Sequence, residues 1–159
     1  MPVIGITGHS QLSEPTVGSV RDALREALRP YGHGLIGLSC LARGADQIFA
    51  SVVLELGGAL DVVIPAFDYA SGIRDNTSRA RFDGLLRQAR DVHHLQFAES
   101  GPAAYMAASR EVIERCDRLI AVWDGSPADG NGGTSDAVQY ARHVRREITV
   151  IWPHGAQRR

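Results

Sequence analysis

The sequence predicts a single α/β domain of three layers, a parallel sheet of about six strands with helices on both faces. Short apolar runs rich in Val, Ile and Leu alternate along the chain with amphipathic stretches at helical spacing, as in sheets built by helical crossovers. The runs are apolar at nearly every position, so both faces of the strands are expected to be covered. At 159 residues the chain has the size of one domain, and a second unit would leave two thin cores. The domain is expected over 1–153. Residues 154–159, which lack large apolar side chains, are expected to form a loose tail.

The first strand is placed at Val3 to Thr7. A helix follows, with Ser13 as cap, Pro15 in its first turn and Val17, Val20, Leu24 and Leu28 as its stripe, ended by Pro30 and Gly32. The second strand, Leu35 to Ser39, leads to a helix with Ile48, Phe49, Val52, Val53 and Leu56 on one face, closed by Gly57 and Gly58. Leu60 to Pro65 is the third strand. A helix starting near Asn76 carries Phe82, Leu85 and Leu86, and Val92 to Phe97 is the fourth strand. Pro102 to Cys116 is the fourth helix, with Met106 and Ile113, and Arg118 to Trp123 the fifth strand. A helix from about Thr134 to His143 and a strand from Ile148 to Trp152 complete the pattern.

Composition excludes several classes. Hydrophobic residues at 44% and charged residues at 22% argue against disorder. No apolar run approaches the roughly 20 residues of a membrane helix, and Val3 to Ile6 follow Met1 and Pro2 with no basic n-region, so the expected compartment is the cytoplasm. A formal charge of −1 supplies no global positive field, and nucleic acid is not an expected partner. All 17 basic residues are Arg, which removes Schiff-base and Walker-type lysines. Cys40 and Cys116 are too few for a disulfide framework or a four-thiolate zinc site and are read as buried apolar groups.

Right-handed crossovers gather the strand-to-helix loops at the carboxyl edge of the sheet, where open α/β sheets bind ligands. Three loops there have suitable chemistry. The first contains Thr7, Gly8, His9 and Ser10, either a ligand-approaching turn with hydrogen-bonding groups or simply a tight turn. The second runs from Ser39 to Asp46, with Gly44 at a helix start and Arg43 beside it as phosphate-binding candidates, and Asp46 read as structural. The third passes from Asp124 to Gly130, Gly132, Gly133 and Thr134, a glycine-rich cradle for phosphate at a helix N-terminus. It is neither a dinucleotide fingerprint nor a Walker loop. Tyr69 and Arg74, after the third strand, are either base and phosphate contacts or a solvated loop. His93 and His94 point to opposite faces of a strand and cannot share a metal. Asp124, Asp129 and Asp136 match no calcium loop; Mg²⁺ on a bound phosphate is conceivable, but no metal and no cofactor beyond a nucleotide ligand are expected.

The order of these loops resembles the SLOG superfamily, the Rossmann-like group containing DNA-processing protein A and the LOG-type phosphoribohydrolases. Ser39 to Asp46 is similar to the S-G-x-A-x-G-I-D motif of DNA-processing protein A, with Cys40 for the glycine and Ala45 for the isoleucine. Gly133-Thr134 is similar to the end of the LOG motif P-G-G-x-G-T-x-x-E. Leu119 to Ala141 resembles an uncharacterised bacterial branch reading roughly A-V-W-D-G, G-G-T-x-D and Y-A. The resemblance spans nearly the whole chain and implies binding of a small nucleotide or nucleotide derivative, and by analogy a homodimer. The alternative it offers is a phosphoribohydrolase cleaving a nucleoside 5′-monophosphate to base and ribose 5-phosphate. The LOG catalytic glutamate and arginine fall at Ala137 and Ala108, which leaves only Asp136 and Arg110 as candidate catalytic groups, so whether the chain is an enzyme stays open. A single-strand DNA binder is a third reading, disfavoured by the charge.

Overall fold

A computed structural model describes residues 1–159. Six strands form one parallel sheet: β1 (Val3–Gly8), β2 (Ile36–Ser39), β3 (Ala59–Ala66), β4 (Asp91–Phe97), β5 (Arg118–Val122) and β6 (Glu147–Ile151). Their spatial order is β4-β3-β2-β1-β5-β6. The chain therefore winds outward from β1 to β4 and then returns to add β5 and β6 on the other side. This reversal lies between β1 and β5, and it opens a crevice at their carboxyl ends.

Five helices connect the strands: α1 (Glu14–Leu28), α2 (Ala45–Glu55), α3 (Asn76–Arg87), α4 (Pro102–Arg115) and α5 (Thr134–His143). Helices α1, α2 and α3 pack in a row on one face, and α4 and α5 pack together on the other. Alternate residues of β1 divide between the layers. Ile4 and Ile6 join Val20, Leu24, Phe49 and Val53 on the α1–α2 side, whereas Leu38, Val112, Ile113, Leu119 and Ala141 pack on the α4–α5 side. Burying one side chain such as Phe49, which has no exposed surface, contributes about 1.5–3 kcal/mol.

Local signals place the helix ends. Pro15 sits in the first turn of α1. Gly57, at φ +82°, and Gly58 close α2 by donating to the carbonyls of Leu54 and Val53, the paired bonds of a Schellman motif. The Asp75 carboxylate caps α3 by accepting the amides of Thr77 and Ser78.

Two expectations are corrected. The edge strands β4 and β6 are not covered on both faces: most of their side chains are exposed or half-exposed, because each has a neighbour on one side only and no helix lies fully over it. Residues 154–159 are not loose. Leu12 and Arg158 form an antiparallel bridge, the Ser13 amide donates to the Gln157 carbonyl, the Arg159 amide donates to the Gln11 carbonyl, and the Gln157 amide reaches the Thr16 hydroxyl. Backbone pairing, not apolar burial, holds this segment, so its lack of apolar residues gave no sign of it. No helix is long and apolar enough to cross a membrane.

Candidate functional site

The crevice at the strand reversal is a cavity of about 660 Å³. Its floor is the end of β1, with Ile6, Thr7, Gly8 and His9. One wall is the loop before α2, with Cys40, Ala42, Arg43 and Asp46. The opposite wall is α4, which presents Tyr105, Ala108, Ser109 and Val112 at helical spacing, and Gly132, Gly133 and Thr134 close one end. Tyr69, Ile73 and Arg74 line the side under β3. The Tyr69 ring packs edge-on against Phe82 and Tyr105, with centroids 6.0 and 6.5 Å away.

Helices α2 and α5 both start at this cavity, and neither has a side-chain cap. Each instead carries an aspartate in its first turn that holds the preceding loop. Asp136 accepts the amide of Gly130 at 3.0 Å and that of Gly132 at 2.8 Å, folding the glycine loop back over the start of α5. Asp46, which is buried, accepts the amide of Ala42 at 3.4 Å. Burial pushes the Asp46 carboxyl up to about 7, against the opposing effect of the Ala42 and Cys40 amides. Burial and the nearby Asp46 carboxyl raise the Cys40 thiol well above its ordinary value.

His9 is buried, with its Nε2 accepting the Asp124 amide at 3.1 Å and its ring edge-on to Trp152. Burial and the nearby Arg158 guanidinium lower its pKa, outweighing Asp124. Burial opposes ionisation of Asp124, yet hydrogen bonds from Ser126, its amide at 3.0 Å among them, hold its carboxyl well below the usual range. Arg158 approaches Asp124 at 3.5 Å and lines the cavity, so the C-terminal segment reaches the site.

Of the candidates read from the sequence, Thr7, Gly8, His9, Arg43, Gly132, Gly133 and Thr134 line this one cavity. Gly44 lines an adjoining groove. Ser39, Asp124 and Gly130 do not line the cavity. The Ser39 hydroxyl is buried between the Leu41 amide and the Asp46 carbonyl, and Gly130 spends its amide on Asp136. Neither catalytic candidate lines it: Asp136 is engaged with the loop, and Arg110 lies over the Tyr140 ring at 5.0 Å. Ala108 and Ala137 lie beneath the cavity's lining, buried in the α4–α5 core, and carry no polar side-chain group. Asp124, Asp129 and Asp136 each bond a loop amide and do not gather into a metal cluster. Tyr105, Ser109 and Arg158 were not foreseen. Tyr105 and Ser109 did stand at i, i+4 spacing in α4, but nothing local distinguishes a cavity-facing stripe from a core stripe.

No protein-family model and no curated protein sequence matches the chain. Solved structures do. The chain is similar to DNA processing protein A from Helicobacter pylori, whose structure concerns its single-stranded DNA binding mode, at a TM-score of 0.69 and 16% identity, covering 96% of this chain and 66% of that one. DNA processing protein A from Streptococcus pneumoniae matches at 0.66 and 19% identity, covering 96% and 51%. The molybdenum cofactor binding protein of Rippkaea orientalis matches at 0.58 and 13% identity, covering 94% and 75%. The chain shares with these structures a Rossmann-like fold, a parallel sheet flanked by helices. The chain spans just under two thirds and about half the length of the two DNA processing proteins. On this Rossmann-like scaffold the cavity lies at the carboxyl edge of the sheet, the ligand position of open α/β folds.

Proposed function

We propose that the chain binds a small nucleotide or nucleotide derivative in this cavity, with a phosphate at the start of α5. The observation that carries the reading is the convergence on one cavity of the uncapped Gly133–Thr134 helix start and the guanidinium groups of Arg43, Arg74 and Arg158. Free first-turn amides and the positive end of a helix favour an anion, and arginine adds bidentate contacts. Tyr69 and Tyr105, edge-on to each other where the β3 side meets α4, supply aromatic surface for a planar ring system. The similar structures are of a DNA processing protein that binds single-stranded DNA and of a protein that binds the molybdenum cofactor, which supports a ligand-binding role for this fold. A net charge of −1 favours a small ligand over a long nucleic acid.

Thermal unfolding against nucleoside mono-, di- and triphosphates, cyclic nucleotides and ADP-ribose tests this. A ligand at about 100 times its dissociation constant adds roughly 2.7 kcal/mol and raises the midpoint by several degrees. The shift is expected to vanish in Gly133→Asp, where a Cβ meets no atom within 4 Å and the backbone φ of −83° suits any residue, so the variant is expected to fold while placing a carboxylate at the anion position. A hit that persists in the folded variant removes the phosphate from α5.

A further inference from the structure

Seven of the 17 arginines pair with a carboxylate within 4.0 Å, as Arg25 does with Glu55 at 2.8 Å and Arg90 with Asp61 at 2.6 Å. Arg21, Arg43, Arg81 and Arg159 do not: none has a carboxylate oxygen within 4.0 Å. Arg21 reaches only the Ser51 hydroxyl, at 3.5 Å. These four line one groove of about 530 Å³ between the starts of α1 and α2 and the outer face of α3. Two carboxylates share it, Glu14 and Asp75, and Asp75 is already spent on capping α3, where it also takes the Ser78 hydroxyl at 2.6 Å. The groove thus gathers an excess of guanidinium charge whose mutual repulsion an anion relieves.

The groove is continuous with the cavity, for Ser10, Arg43 and Asp75 line both. We propose that it is a second phosphate site, taking a further phosphate group carried by the same small ligand, so that the ligand class is a nucleotide bearing phosphate at two separated positions or linked through a diphosphate. That the ligand is a nucleotide rests on the proposed function; the anion chemistry of the groove stands apart from it. Planar guanidinium forks fit phosphate oxygens two at a time, and four of them around one depression match a polyphosphate better than a single carboxylate.

The test uses inorganic tripolyphosphate as a base-free probe, titrated calorimetrically into the full chain and into Arg21→Gln/Arg81→Gln, both residues lying outside the cavity lining. Binding to the parent, weakened about tenfold or more in the double variant and unchanged in Gly133→Asp, is expected. Equal affinity in parent and double variant, or no binding to the parent at millimolar probe, overturns the proposal. Nucleoside monophosphates in the same titration read the cavity alone. If they fail to bind while tripolyphosphate still depends on the arginines, the nucleotide reading falls and the groove's anion site stands. A single-stranded oligothymidylate that binds more tightly than tripolyphosphate, depends on the same arginines and weakens steeply with salt assigns the groove to a strand and overturns the small-ligand proposal.

Discussion

The carboxylate of Asp136 meets the amide of Gly132 at 2.8 Å, so this aspartate in the first turn of α5 serves the shape of the loop. Its second oxygen holds Gly130. Asp136→Ala leaves two loop amides without their acceptor and is expected to lower stability by about 1–3 kcal/mol, together with a loss of ligand affinity. Asp136→Asn is expected to recover little, because its NH₂ would face an amide donor. Urea unfolding midpoints of the three proteins check this; a variant as stable as the parent removes the role.

Gly44, at φ +86°, begins α2 where a Cβ would stand 2.6 Å from the carbonyl oxygens of both His9 and Ser10. Backbone cannot retreat as a flexible side chain can. Gly44→Ala is therefore expected to cost about 3 kcal/mol or more, combining left-handed strain with a clash, and to separate the β1 loop from α2. The thermal midpoint of the variant reads this directly.

Asp46 gives the stability a defined pH dependence. Its carboxyl is raised from 3.8 to about 7 in the folded chain, so the native state binds more protons than the unfolded state between those values. The stability it contributes is complete below about pH 4 and is lost as pH rises to about 7, by roughly 1.4 kcal/mol for each unit crossed. His9, lowered by its burial, acts in the opposite sense, destabilising as pH falls below 6.5. Comparing the parent with Asp46→Asn cancels the His9 contribution. The difference is expected to shift in favour of the variant from pH 4 to pH 7, and a flat difference contradicts the raised pKa.

Release of free base from nucleoside 5′-monophosphates is not expected. The positions that resemble the LOG catalytic pair are Ala108 and Ala137, both buried in the α4–α5 core and without a polar side-chain group, and Arg110 is turned onto Tyr140. Chromatography after prolonged incubation checks this, and base release that survives repurification and depends on a cavity residue would reverse it.

Much of this was legible in the sequence because it is local. The apolar runs named all six strands, Gly57 and Gly58 marked the end of α2, and the three loop motifs met at one edge as right-handed crossovers require. What was not legible depends on distant partners. Gly8 reads as room for a ligand, yet a Cβ there would stand 2.4 Å from that of Ala45, so close packing of α2 on β1 also demands it. Gly130 reads as a phosphate donor, but its amide is claimed by an aspartate six residues on. The C-terminal segment reads as loose, and its order comes from backbone pairing with 11–13, which no composition reports.

The proposed function requires a phosphate on the start of α5 inside this cavity. Amide chemical shifts of the labelled protein, followed during titration with the best nucleoside phosphate and with its phosphate-free nucleoside, test it most directly. The largest phosphate-dependent shifts are expected at Gly133 and Thr134, with smaller ones at Thr7 and Arg43. Phosphate-dependent shifts confined to other residues, with Gly133 and Thr134 unmoved, would contradict it.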